Sequence, residues 1–357
     1  MKEARNRNFI MSNILFLCKE RFEDSLSAEI TSKCGAGGLL KKSPGLVNAE
    51  FPSDQLLPEK FFIFERQRVE NAVFIQEGNL GNMARDVVKN ILPGITRSEM
   101  QWTLHVFPPE DTGISIAPKI KYFKKQLIDF CRDHFGRVAR RFVLDADLRK
   151  ENMMVLNICM LQEGLWGAAM LSENLSDPCP GGCHRMIFDE DAPSRSFLKV
   201  EEALDIMKTK PLQEERVFDL GAAPGGWSYA FLKRGCIVTA VDNGPMKIMS
   251  LNSLPGKLVH VKADGLLYEP ESRLLPADWL VSDMLVATGK NFALIKNWLG
   301  GKRARKFIIN IKLPQVEPYP VIKPMEEWLN ARPFIHYNIR QLYHDRHEVT
   351  LFGTVDI

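Results

Sequence analysis

The stretch Asp219-Leu220-Gly221-Ala222-Ala223-Pro224-Gly225-Gly226-Trp227 decides the fold. It leaves an apolar run at 217–220 and enters a helix-like run at 227–233. Strand, glycine turn and helix in that order open a doubly wound α/β sheet, in which ligands bind at the carboxyl ends of the strands. The alternation continues downstream. Runs at 236–241, 258–262, 279–282 and 307–311 read as further strands, with a helix at 292–299. Runs at 335–342 and 349–355 face each other across His344 to His347 and predict a terminal antiparallel pair. The second half is therefore read as a Rossmann-like α/β domain over 190–357, closed by an antiparallel hairpin.

The glycine loop also narrows the ligand. A dinucleotide loop needs G-x-G-x-x-G and a nest of backbone N–H groups for the pyrophosphate. Here the spacing differs, and Pro224 removes a donor. A loop that allows close approach without an anion nest suits S-adenosylmethionine, which has a cationic sulfonium and no phosphate. Asp242, after the second strand, is placed for the ribose hydroxyls; Asp264, after the third, is placed for the adenine edge.

The rest of the chain sets bounds. Its 357 residues, 45% hydrophobic and 25% charged, describe an ordinary globular protein with room for two domains. A net charge of +3 is too small to bind nucleic acid globally, so any such affinity must be local. Seven cysteines, scattered and odd in number, fit a reducing compartment. No apolar run spans a bilayer, and the charged start, Met1 to Asn8, does not resemble a signal peptide, so a cytoplasmic protein with no membrane association is expected. Cys179, Cys183 and His184 surround Pro180-Gly181-Gly182 and read as a turn; no metal site is expected.

Before residue 189 the pattern is mixed α+β. Strands are expected at 13–18, 45–51, 72–76 and 101–107, helices at 22–33, 80–92 and 119–135, and a hairpin at 153–161 and 165–171. Lys119, Lys121, Lys124 and Lys125, then Arg132, Arg137, Arg140 and Arg141, form the most basic stretch, with Tyr122 and Phe123 interleaved. Such a face can track phosphates. Lys302, Arg303, Arg305 and Lys306 are a second candidate contact.

Four charged residues stand where they can converge on the loop: Lys199 on the entering helix, Asp283 and Lys312 ending the fourth and fifth strands, and Glu348 opening the last. With Ser194-Arg195-Ser196, Val241-Asp242-Asn243-Gly244-Pro245, Lys312-Leu313-Pro314 and Leu342-Tyr343-His344-Asp345-Arg346, they resemble the FtsJ-like ribose 2′-O-methyltransferases and, within these, the RlmM family. The resemblance is dense from Asp191 onward and looser before it. It implies a class I methyltransferase sheet preceded by a ferredoxin-like region (11–80) and a THUMP-like RNA-binding domain (81–180). It implies methylation of a cytidine ribose in 23S rRNA, free or in a large-subunit precursor, without an obligate protein partner; the alternatives are a ribose 2′-O-methyltransferase of another RNA, such as tRNA or a cap, and a non-catalytic RNA-binding assembly factor. Lys312 becomes the general base, with Lys199, Asp283 and Glu348 completing a Lys-Asp-Lys-Glu tetrad. Ser196, Gly221, Ala223, Pro224, Gly225, Gly226, Trp227, Asp242, Asp264 and Asp283 become the cofactor-binding residues. The chemistry is consistent: a ribose hydroxyl is a weak nucleophile, an ammonium has no lone pair, and one lysine must therefore act as the neutral amine.

Overall fold

A computed structural model describes residues 11–35, 39–53, 55, 57–58, 60–109, 116–249 and 251–357. Met1 to Asn8 lie outside them. The chain divides between His184 and Arg185 into two compact units.

The first unit holds two four-stranded sheets. One contains β1 (Met11–Leu17), β2 (Leu39–Ser43), β3 (Leu46–Pro52) and β4 (Gln67–Glu70), ordered β2-β3-β1-β4 and antiparallel throughout. The helix Glu23–Cys34 connects its first two strands. This is a ferredoxin-like strand order, but no helix occurs among the described residues between β3 and β4. The sequence pattern overlooked β4 because Gln67-Arg68-Val69-Glu70 is polar. The strand nevertheless buries Gln67 and Arg68, since Arg68 donates to the equally buried Glu65 at 2.7 Å.

The other sheet contains β5 (Val73–Gln76), β6 (Trp102–Phe107), β7 (Met154–Met160) and β8 (Gly164–Leu171), ordered β5-β8-β7-β6, with only β6 and β7 parallel. Helices Leu80–Asn90 and Ala117–His134 supply Met83, Val87, Phe123 and Leu127 to its core. Asn79 caps the first of them, accepting from the Gly81 N–H at 2.9 Å.

The second unit is one seven-stranded sheet: β9 (Arg216–Leu220), β10 (Ile237–Val241), β11 (Lys257–Val261), β12 (Ala277–Ser282), β13 (Ala304–Lys312), β14 (Ile335–Arg340) and β15 (Glu348–Val355). Their order is β11-β10-β9-β12-β13-β15-β14. The first five are parallel, and β15 runs antiparallel between β13 and β14. The chain reverses direction between β9–β10 and β9–β12, so the crevice for a ligand opens at the carboxyl end of β9. Phe197–Met207, Gly226–Leu232, Thr288–Gly300 and Pro318–Asn330 are its helices.

The last of these helices was not expected, because Pro318, Pro320 and Pro324 argue against a helix. Pro318 occupies the first turn, where no N–H is required. Beyond it Ile322, Met325 and Leu329 recur at three- and four-residue spacing and are all buried. That apolar stripe outweighs the hydrogen bond forfeited at Pro324. No helix among the described residues is long and apolar enough to cross a membrane.

Candidate active site

The expected loop leaves β9 as a sharp turn. Gly221 has φ +78°, and a Cβ there would stand 2.2 Å from Cγ of Met284. Gly225, at φ +115°, ends the turn and starts the helix Gly226–Leu232. Both positions require glycine. Gly226 lies against the entering segment: its missing Cβ would clash with Ser194 Oγ at 2.2 Å and approach Ser196 Oγ to 3.0 Å, and the two hydroxyls share a 2.7 Å hydrogen bond. Trp227 does not line the open side of the loop. It is 2% exposed within the core of this unit.

Asp242, at the end of β10, fixes the loop. One carboxylate oxygen accepts from the Ala223 N–H at 3.1 Å and the other from the Gly244 N–H at 2.6 Å. Each oxygen keeps a further lone pair for a hydroxyl donor. Asp264 is exposed after β11 and accepts from the Leu266 N–H at 2.9 Å in a local turn.

The four tetrad candidates occupy the carboxyl ends of the central strands and the adjoining helix. Lys199, on Phe197–Met207, is 8% exposed, and its Nζ lies 3.4 Å from Asp283, 3.8 Å from Glu348 and 3.9 Å from Asp345. Asp283 also accepts from Asn310 Nδ2. Lys312 ends β13 in register opposite Glu348 of β15. Its side chain is exposed and makes no ion pair among the described residues, while its carbonyl accepts from Thr288 Oγ1 at 2.7 Å. Glu348 accepts from the Arg346 N–H at 2.6 Å.

Burial dominates the electrostatics here. It pushes the Asp219 carboxyl up to about 7, against a 2.6 Å hydrogen bond from Ser228 Oγ and assisted by the negative charges of Asp283 and Asp242. Burial also raises Asp283, opposed by Lys199 and Asn310. Asp345 is pushed by burial up to about 8, opposed by Lys199.

Sequence reasoning missed Asn310, Asp219, Asp345 and Glu202 as parts of this network. Asp345 stood inside a quoted motif; only its burial reveals a role. Glu202, one helical turn after Lys199, accepts from the N–H groups of Tyr343 at 2.7 Å and His344 at 3.0 Å.

The donor set suits a cationic cofactor. Asp242, Asp264 and Asp283 stand at the ends of β10, β11 and β12, and the loop Gly221 to Trp227 carries no cationic side chain. A sulfonium and a ribose diol match this acidic rim; a phosphate does not.

Comparison with known proteins agrees. Residues 192–324 match the FtsJ-like methyltransferase family. Ribosomal RNA large subunit methyltransferase M of Pseudomonas putida (strain GB-1) is 31% identical over 360 residues, covering 95% of this chain and 97% of that protein. The chain belongs to the ribosomal RNA large subunit methyltransferase M family. The relative from Pseudomonas fluorescens (strain SBW25) is 36% identical, with an alignment spanning 63% of this chain and 65% of that protein. That from Azoarcus sp. (strain BH72) is 29% identical over 98% of this chain and 97% of its own length. The second unit is thus a class I, FtsJ-like methyltransferase domain, and S-adenosylmethionine is its methyl donor.

The first unit's candidates fare differently. On Ala117–His134, Lys121, Lys125 and Arg132 are exposed, as are Arg137 and Arg140 just beyond it. Tyr122 is 55% exposed, whereas Phe123 is core. Lys119 pairs with Glu77 at 3.4 Å, Lys124 is half-buried, and Arg141 is tied to the Met100 carbonyl at 2.9 Å. In the second unit, Arg303 pairs with Glu269, and Lys306 pairs with Glu215 at 2.7 Å. Only Lys302 and Arg305 of that patch are left exposed.

Around the expected turn at Pro180–Gly182, Asp177, Cys179 and His184 bring ligand-type atoms within 4.8 Å of one another. His184 Nδ1 meets Asp177 at 2.7 Å, and Arg149 Nη2 lies 3.3 Å from His184 Nε2 and 3.8 Å from Cys179 Sγ. The guanidinium thus faces the nitrogen and sulfur that a metal ion would need.

Proposed function

We propose that the protein methylates the 2′-hydroxyl of a cytidine ribose in 23S rRNA, free or within a large-subunit precursor. One observation carries this reading: the two lysines of the site are electrostatically unlike. Lys199 is held among the carboxylates of Asp283, Glu348 and Asp345, whereas Lys312, at the next strand end, is exposed and unpaired among the described residues. A lysine gripped by carboxylates orients the substrate; one without such a grip is left to take the hydroxyl proton. That division of labour fits a hydroxyl nucleophile.

S-adenosylmethionine supplies an electrophilic methyl group when bound. Gly221, Ala223, Pro224, Gly225 and Gly226 form the floor of its site, Asp242 takes its ribose, Asp264 its adenine edge and Ser196 its carboxylate, with Trp227 supporting the loop from the core. Lys312 Nζ accepts the 2′-hydroxyl proton as the oxygen attacks. Lys199 donates a hydrogen bond toward that oxygen and steadies the charge developing on it, and Asp283 and Glu348 keep the ammonium in place. The first unit serves as a ferredoxin-like region and a THUMP-like RNA-binding domain. Lys121, Lys125 and Arg132 supply its phosphate contacts.

The test is to map 2′-O-methyl sites in rRNA from cells with and without the protein, then to complement with Lys312→Ala. One cytidine should lose its methyl group on deletion and stay unmethylated with the variant. Purified Lys312→Ala should still bind S-adenosylmethionine in calorimetry. Normal methylation by Lys312→Ala would overturn the assignment of the base.

A further inference from the structure

We propose that Asp345 is a positioning residue for methyl transfer, whose buried carboxylate holds the Lys199 ammonium in register with Asp283 and Glu348. This rests on the reading of Lys199 and Lys312 as the catalytic lysines.

Asp345 lies in the turn between β14 and β15 and is 1% exposed. A carboxylate is not placed there by chance, because burying it is costly unless it is paired and hydrogen-bonded. Its hydrogen bonds include donors from its own turn and the following strand. One oxygen accepts from the Leu342 N–H at 3.0 Å, and Thr350 Oγ1 reaches both oxygens at 3.0 and 3.2 Å. The carboxylate is therefore immobilised by its own turn and by the following strand. The Lys199 ammonium lies 3.9 Å away.

The turn is itself pinned to the helix bearing Lys199. Glu202 on that helix is 2% exposed and accepts from two consecutive turn N–H groups, those of Tyr343 and His344. Helix Phe197–Met207 thus sends two side chains into this turn, one at each level. Glu202 holds the backbone, and Lys199 meets the carboxylates of Asp345 and Glu348. A long, flexible lysine side chain needs such a grip, since displacement of a reacting group by about 1 Å costs on the order of a hundredfold in rate.

Charged groups facing Asp345 include Lys199 and Glu202 from the helix and Glu348 from β15. Burial raises its carboxyl to about 8 against the pull of Lys199, and the negative charges of Glu202 and Glu348 add to the rise. Below that value a neutral Asp345 grips Lys199 less firmly.

Asp345→Asn in the full chain tests this, because the amide keeps the size and can still accept from Leu342 and Thr350. The expected result is a roughly tenfold lower kcat with unchanged KM for S-adenosylmethionine and RNA. The acid side of the pH–kcat profile should become shallower. A variant with normal kcat and an unchanged profile would overturn the proposal. Thr350→Val, which leaves the charge and frees its orientation, guards against misfolding of the first variant. It should lower kcat about threefold with the same KM values, and normal kcat there would also count against the proposal. Lys312→Ala separates the two levels of inference. If it retains activity, the reading of the site fails. If it is inactive while Asp345→Asn is normal, only the role of Asp345 fails.

Discussion

The two units treat buried charge in opposite ways. In the first, the buried carboxylates Glu29 and Glu65 each have their own cation and their own backbone donors. Glu29 receives Lys33 at 2.7 Å and the Ile63 N–H at 2.8 Å; Glu65 receives Arg68 at 2.7 Å and the Phe62 N–H at 3.2 Å. In the second, Asp283, Asp345 and Glu348 gather round the one ammonium of Lys199, and Asp219 is buried against the hydroxyl and backbone N–H of Ser228, facing the negative charges of Asp283 and Asp242. One-to-one pairing anchors a scaffold. A surplus of carboxylate at strand ends, with Asp219, Asp283 and Asp345 raised in proton affinity by burial, marks the place where charge is used rather than merely neutralised.

Lys199→Met gives the largest effect expected to break this contrast. It leaves the carboxylates facing one another, so methylation should fall by at least about a hundredfold, and stability to urea should drop by on the order of 3 kcal/mol. Equal stability in variant and parent would mean that the surplus is not held by Lys199.

Opposite pH dependences come next. The Asp219 carboxyl, ordinarily near 3.8, sits at about 7 when folded, so between those values the folded chain holds a proton that the unfolded chain has lost. Its contribution is complete below about pH 4 and disappears as pH rises toward 7. Burial and the nearby Lys124 push His105 in the first unit down to about 4 from 6.5, so its unfolded form binds the proton first. Its contribution is complete above about 6.5 and is lost as pH falls toward 4. Hydrogen exchange across pH 4–7 should show residues 185–357 loosening as pH rises and residues 11–184 loosening as pH falls. Asp219→Asn should flatten the first trend by about 4 kcal/mol and His105→Gln the second by about 3 kcal/mol at the extremes. Parallel trends in both units would remove the contrast.

The smallest effect is on affinity. Reversing Lys121 and Lys125 to Glu should weaken binding of an rRNA fragment about tenfold and reduce the slope of log affinity against log salt by about 2, with kcat unaltered. An unchanged slope would place the phosphate contacts elsewhere.

Much of this was legible in the chain. Strand and helix alternation gave the parallel half of the second unit, and the glycine spacing gave the loop after β9. Lys199, Asp283, Lys312 and Glu348 could be singled out because each stands near a strand or helix end and the family resemblance points to them; the fold brings Lys199 within 4 Å of Asp283 and Glu348. Helix Pro318–Asn330 was hidden by its prolines, although the stripe Ile322, Met325, Leu329 was there to be read. Tyr122 and Phe123 looked alike until the helix turned one outward and the other into the core.

What the sequence by itself determined is therefore local: which segments alternate as strand and helix, where the chain must turn on glycine, and which charged residues stand at element ends. Tertiary structure decided the rest. It inserted β15 between β13 and β14, which set Lys312 opposite Glu348. It also buried Asp345 and brought it to Lys199, 146 positions away in the chain. It took Trp227 out of the open face of the loop and put it in the core. The physical reason is that strand order and desolvation depend on contacts between residues far apart in sequence, and no local period encodes them. The glycine loop announces a cofactor site; only the folded sheet shows which lysine is gripped and which is free.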